Sequence, residues 1–245
     1  MWQRQRRRLP IPLMPAVAWI AATRGLRICP IPPTGTERSI YLSLRADADV
    51  RSIFDVGANV GDKALRFSSS FPDAEICCFE PITSTYRLLR QNSAKNGRIR
   101  CFPYAVSDGE GKGLAISEAN SQMSWLVGPS DNCMGSPVQE VTLTTIDKFC
   151  AANGINRIDI IKTDTEGHDL AVLRGAAGML KKSVTFVMSE VGMKEIDTRH
   201  SYFHAVNEYL MRFKFIFCGF YDLNYEADGT VSYADALFVR AKAEQ

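Results

Sequence analysis

The chain has 245 residues, 46% of them hydrophobic and 23% charged, which are the proportions of a globular protein with a full core and exclude a disordered or fibrous chain. A net charge of +2 argues against an extended nucleic-acid surface. Three histidines, and seven cysteines with no C-x-x-C pair, argue against a zinc centre or a dithiol redox motif. The cysteines, scattered apart from Cys77-Cys78, read as small core residues in a reducing compartment, which places the protein in the cytoplasm.

The charge is uneven. Residues 1–36 hold Arg4, Arg6, Arg7, Arg8, Arg24 and Arg27 and no acid, so the rest carries 23 basic against 27 acidic side chains. Residues 1–36 read as an extension and 37–245 as one domain. The extension imitates the basic and apolar regions of a secretion signal, but Pro10, Pro12 and Pro15 interrupt it. Its apolar part at 16–22 is far short of the about 20 residues that span a bilayer. A cover over the active-site mouth, a weak contact with anionic lipid and a plain basic tail all fit such a segment. Pro30, Pro32 and Pro33 mark a linker, and 41–45 can form a short helix.

From there strands and helices alternate. An apolar run at 53–56 predicts a first strand, followed by a helix at 61–70 that Phe71-Pro72-Asp73 stops. A second strand at 75–81 leads into a helix at 82–96, with Thr83 or Ser84 as cap and Leu88 and Leu89 facing the sheet. A third strand is expected at 99–106. Residues 109–140, rich in Gly, Ser, Asn and Pro, are long for a connection, so they are functional or hold a small hairpin. A β segment at 141–143 and a helix capped by Thr144 or Thr145 and ended by Asn153-Gly154 follow. A strand at 158–162, a helix at 169–182, a strand at 184–189 and a helix at 202–213 complete the alternation. Two strands at 215–221 and 236–240, joined through Asp228-Gly229, have no helix between them and read as a hairpin. The whole is an α/β fold: a mostly parallel sheet with one antiparallel strand and helices on both faces.

Ligands in such sheets bind beyond the carboxyl ends of the strands. The candidates are therefore Asp55, Glu80, Ser107-Asp108, Asp164, Glu166 and Glu190. In IFDVGANVGD (53–62), Gly57 and Gly61 stand four apart with Asn59 between them, and the third glycine of a dinucleotide fingerprint is missing. Asp55 would repel a diphosphate and attract a cation. S-adenosylmethionine, with its sulfonium and ammonium groups, suits the stretch better than a nicotinamide dinucleotide. Glu80 follows Asp55 at the interval of an acid that accepts ribose hydroxyls, and Asp108 could accept from an adenine amino group.

The segments DVGANVGD, CFEP, AVSD, LTTID, IIKTDTEGHDLAVLRGA and MSEVG, in that order over about residues 50–192, resemble the FkbM-type S-adenosylmethionine-dependent methyltransferases. The resemblance implies a seven-stranded Rossmann-like sheet and methyl transfer, generally to a hydroxyl of a sugar or small molecule. It implies Asp55, Gly57, Asn59, Gly61 and Glu80 at the cofactor, with Asp164, Glu166 and Gly167 lining the methyl-transfer site. Thr163 and Thr165 stand where the family usually shows aliphatic residues, and His168 where an aromatic or small one is common, so no role of His168 is implied by it. Length and the basic amino terminus are also similar to those of rhizobial nodulation 2-O-methyltransferases, which act on the fucosyl group of lipo-chitooligosaccharides. Competing readings are a nicotinamide-dependent oxidoreductase and a non-catalytic binder of the same cofactor.

A sugar hydroxyl attacks a methyl group only as its proton is removed, so a base is needed. His168 or Glu166 is expected to take the proton while Asp164 holds the methionyl ammonium or the substrate. Alternatively Asp164 and Glu166 cap the next helix and His168 lies on its surface. No bound metal is expected, although carboxylate oxygens would suit Mg²⁺ as an alternative. Trp125, Tyr202, Phe203, Tyr221 and Tyr225 are candidates to face a sugar ring.

Overall fold

The computed structural model describes residues 49–117, 124–126 and 138–241. The extension at 1–36, the helix expected at 41–45 and the side chain of Trp125 lie outside the described residues. In chain order the elements are β1 (Ser52–Val56), α1 (Asp62–Ser70), β2 (Glu75–Phe79), α2 (Thr83–Ser93), β3 (Ile99–Phe102), β4 (Tyr104–Val106), β5 (Gly111–Ser117), β6 (Ser124–Leu126), β7 (Val138–Thr144) and α3 (Ile146–Asn153). They continue with β8 (Ile160–Thr163), α4 (Asp169–Arg174), α5 (Ala177–Lys182), β9 (Phe186–Gly192), β10 (Ser201–Tyr202), α6 (Phe203–Met211), β11 (Phe215–Tyr225) and β12 (Val231–Arg240).

The main sheet runs β11-β12-β9-β8-β1-β2-β3, with the short β10 paired to β9. β12 is antiparallel to both of its neighbours, and the other pairings along this path are parallel. The expected Rossmann-like sheet with a closing hairpin is therefore present. Its inner strands are apolar because both faces are covered. Alternation along them separates two cores. Phe54, Phe79 and Ile161 pack with α3 to α6, whereas Ile53, Ile76 and Ile160 pack with Ala64 and Phe67 of α1 and Leu89 of α2.

Four expectations are corrected. The strand expected at 99–106 breaks at Pro103, which has no N–H for a ladder. Its first half stays in the main sheet as β3. Its second half, β4, joins β7, β5 and β6 in a second, four-stranded sheet. The 109–140 connection thus contributes strands to that sheet, and the segment expected at 141–143 is the end of β7. The helix expected at 169–182 is two helices. Asp147 accepts from Gly178 N (2.7 Å) and Met179 N (2.9 Å), giving α5 its own capped start. At α2, Leu89 is buried but Leu88 is 48% exposed. Neither Thr83 nor Ser84 caps that helix by a side-chain bond: Glu80 Oε1 accepts from Ile82 N (2.9 Å) and Gln139 Oε1 from Thr83 N (3.0 Å). Thr145 does cap α3, accepting from Lys148 N at 3.1 Å, and Gly154 closes it in a left-handed conformation.

Candidate active site

Sharp turns at the carboxyl ends of β1, β2 and β8 build one pocket. Its lining includes Gly57, Asn59, Glu80, Asp164, Thr165, Glu166 and His168, with Phe79, Pro81, Tyr104 and Val106 forming an apolar side. Gly57 adopts φ +71°, and a Cβ there would lie 1.8 Å from Asp164 O. Only glycine lets the β1 and β8 tips approach so closely. Gly61, at φ +97°, starts α1 and faces Leu89 Cδ1, not the pocket.

Asp55 is fully buried beneath the pocket floor and does not line it. Its cross-strand neighbour is Lys162, whose Nζ lies 3.1 Å from Asp55 Oδ1 and 3.3 Å from Asp164 Oδ2 and donates to Gly57 O at 2.9 Å. Burial alone would lower the lysine pKa, but Asp164 and Asp55 overcome it and hold Lys162 above its ordinary value. Asp55 is raised by burial, against the pull of Lys162. Sequence reasoning missed this lysine, although a charge inside the apolar run IIKT was a signal for it.

Glu80, nearly fully buried, holds the first turn together. Its Oε2 accepts from Asn59 N at 3.1 Å and its Oε1 from Ile82 N. Burial outweighs these bonds and pushes its pKa up to about 7. Each oxygen keeps a further lone pair toward the cavity.

The three proposed catalytic residues diverge. Asp164, 32% exposed at its side chain, is tied to Lys162. Glu166, at φ +52°, turns toward Glu190 and His200, and burial with Asp164 nearby raises its pKa. His168 turns to the other side, where its Nε2 lies 2.8 Å from Ser107 Oγ. Ser107 in turn donates to Asp108 Oδ1 at 3.3 Å. Ser107 and Asp108, expected at the cofactor, do not line the pocket and instead orient this imidazole. The chain of bonds places the proton on Nε2 and the lone pair on Nδ1. Burial lowers His168 below the ordinary histidine value, with Asp108 partly offsetting it, which favours the neutral ring. Asp164 and Glu166 do not cap α4: its start, at His168, has no side-chain cap, and Asp169 Oδ1 accepts from Thr165 N at 3.2 Å.

Thr163 and Ser189, cross-strand neighbours on β8 and β9, bond to each other at 2.9 Å and are buried. Tyr202, Phe203, Tyr221 and Tyr225 do not line the pocket. Phe203 packs on Phe217, Phe220 and Phe238, and Tyr225 is 63% exposed. A feature missed from sequence is the approach of His200. The segment 193–200 folds back so that Thr198 O lies 2.8 Å from where a Cβ of Gly167 would be, and Asp197 and His200 crowd Gly192. The two glycines in EGHD and EVGM were its signal, but they do not name the partner.

The pocket therefore joins a backbone cradle, an acid at the tip of β2 and acids just after β8. That donor set suits a ligand with hydroxyls and positive charge and disfavours a diphosphate.

The chain is 26% identical to the 2-O-methyltransferase NoeI of Sinorhizobium fredii over 178 residues, covering 67% of this chain and 72% of that one. It is 29% identical to the hexuronic acid methyltransferase AglP of Haloferax volcanii over 160 residues, 64% of this chain and 62% of that one, so it spans less than two thirds of that relative. Among solved structures, magnesium protoporphyrin IX methyltransferase (ChlM) from Synechocystis PCC 6803 aligns at a TM-score of 0.49 and 10% identity, over 84% of this chain and 78% of that one. Among the described residues no helix is long and apolar enough to cross a membrane. Residues 55–220, from the tip of β1 into β11, match the methyltransferase FkbM domain, and the chain belongs to that family as an S-adenosylmethionine-dependent methyltransferase.

Proposed function

We propose that the protein is an O-methyltransferase acting on a hydroxyl of a sugar or small molecule, with His168 as the base. The observation that carries the reading is the His168–Ser107–Asp108 chain beside an acid-lined pocket, which supplies a neutral, oriented imidazole. S-adenosylmethionine, when bound, supplies an electrophilic methyl group. Glu80 would accept its ribose hydroxyls, the Gly57–Asn59 backbone would face its methionyl part, and Asp164 would hold its ammonium. Lys162 keeps Asp164 in place from below. Nδ1 of His168 takes the acceptor proton, and Ser107 keeps the ring from turning.

Acids at the mouth would repel a uronate, so a neutral sugar is favoured over a hexuronic acid. The 2-hydroxyl of a glycosyl unit is the acceptor we favour, by likeness to the 2-O-methyltransferase relative. The fucosyl group of a lipo-chitooligosaccharide is the specific candidate. The thiols of Cys77, Cys78, Cys101, Cys150 and Cys218 are unpaired, which supports a reducing, cytoplasmic setting.

The test is incubation with methyl-labelled cofactor and a panel of fucosides, glucosides and uronates. Label should enter a neutral glycoside, and His168→Ala should slow turnover at saturating cofactor. Label in uronates alone, or unchanged turnover in His168→Ala, would overturn the acceptor or the base respectively.

A further inference from the structure

We infer that Glu166, Glu190 and His200 form a binding site for a divalent metal ion at the rim beside the donor pocket. The three side chains come from the β8–α4 turn, from β9 and from the segment before β10. Their ligand atoms all lie within 4.8 Å of one another. Donors on one ion stand about 3–3.5 Å apart, so side-chain adjustments of about an ångström complete the set.

The imidazole is already held in position. His200 Nδ1 meets Asp197 Oδ2 at 2.7 Å, and the ring stacks on Tyr233 with centroids 4.2 Å apart at 13°. A ring that donates Nδ1–H to Asp197 would turn the lone pair of Nε2 toward Glu190 Oε2, 3.7 Å away. A carboxylate behind a histidine that faces further carboxylates is the outer support that metal-binding imidazoles use. The 3.7 Å contact is too long for a hydrogen bond, and among the described residues no hydrogen bond reaches the Glu190 carboxylate.

A separate observation concerns charge. Asp169 is fully buried, and its charge bears on both Glu166 and Glu190. Nearby lysines are engaged: Lys162 with Asp55 and Asp164, Lys63 with Asp222 and Asp235. Arg199 adds some positive charge near Glu166. A divalent ion would sit at the point where these side chains meet. One nitrogen and two carboxylates suit Mn²⁺ or Zn²⁺ better than Mg²⁺. On the methyl-transfer reading, the ion would hold the acceptor sugar by one of its other oxygens while His168 takes the proton of the reacting hydroxyl.

The test is direct. The full chain is stripped with EDTA, dialysed and titrated with MnCl₂ under electron paramagnetic resonance, with ZnCl₂ competing. Calorimetry with S-adenosylmethionine is run on the same sample. One equivalent of Mn²⁺ should bind, at least tenfold more weakly in Glu190→Gln and His200→Gln, and unchanged in the surface control Glu110→Gln. Melting curves identify any variant that does not fold, and Glu166→Gln then takes its place. Absence of stoichiometric binding, or binding indifferent to these changes, overturns the site. Cofactor binding without metal binding overturns the metal site alone. Metal binding without cofactor binding supports the site while overturning the methyltransferase reading.

Discussion

Lys162 stands beside Asp55 on the neighbouring parallel strand, and its ammonium joins that buried carboxylate to Asp164 and to the carbonyl of Gly57. One side chain thus binds the floor of the pocket to two of its walls. Lys162→Met removes the lysine that contacts a fully buried carboxylate, a change of about 3–5 kcal/mol. Because each kcal/mol moves the melting temperature of a domain this size by about 2–4 °C, a fall of about 6–20 °C is expected in thermal denaturation. Asp55→Asn in the same chain should restore much of it. A double variant less stable than Lys162→Met would show that Asp55 is not the group left uncompensated.

Glu80 couples the pocket to pH. Burial puts its folded-state pKa at about 7, above the ordinary carboxylate value. The stability it contributes is therefore fully present below that ordinary value and lost as pH rises through 7. The ligand-free protein should melt lower at pH 8 than at pH 6. Cofactor binding should run the opposite way, because ribose hydroxyls need the ionised carboxylate. The dissociation constant should rise about tenfold from pH 8 to pH 6 for a single group titrating near 7. Calorimetry across that interval measures it, and Glu80→Gln should bind weakly at both ends with a flattened trend.

Gly57 and Gly61 belong to one motif but do different work. An alanine Cβ at 57 would meet Asp164 backbone at 1.8 Å, whereas at 61 it meets only the movable end of Leu89 at 2.8 Å. Both positions have positive φ, which costs about 1–2 kcal/mol for a residue with a Cβ. Gly61→Ala should therefore melt a few degrees lower and still bind cofactor. Gly57→Ala must push two strand tips apart and should lose cofactor binding or the fold. Equal melting and binding in the two variants would contradict this division.

The sheet and its acidic rim were legible because apolar runs ending in an acid are local signals. So was the hairpin, since no helix separates its strands. What escaped depends on residues distant in sequence. Asp147 starts α5 from another helix, so the break in 169–182 had no local sign beyond Gly175. Pro103 splits a strand whose two halves find different sheets. Ser107 and Asp108 were placed at a strand tip correctly, but their partner His168 lies 61 residues away from Ser107. Glu190 was expected as a tip acid but lies within β9, which runs on to Gly192. Its convergence with His200 depends on a loop that folds back against two glycines.

The bond from His168 to Ser107 leads to the last prediction, on rate and pH. A base must be neutral to accept a proton, and burial lowers His168 below the ordinary 6.5. The competent form therefore persists to more acid pH than in a free imidazole, and turnover should fall only on the acid side of 6.5. Asp108 partly offsets burial by favouring the charged ring, so Asp108→Asn should move that acid limb further down. Ser107→Ala removes the partner of Nε2 and leaves both tautomers and ring rotations open. It should lower kcat about tenfold with little change in cofactor affinity, short of the about 10²–10⁴ expected when the base itself is deleted in His168→Ala. The pH–rate profiles of the three variants, taken on whichever glycoside accepts label, separate these roles. If Ser107→Ala weakened cofactor binding and left kcat intact, Ser107 would belong to the donor pocket after all, and the base would have to be sought on the Glu166 side of the rim.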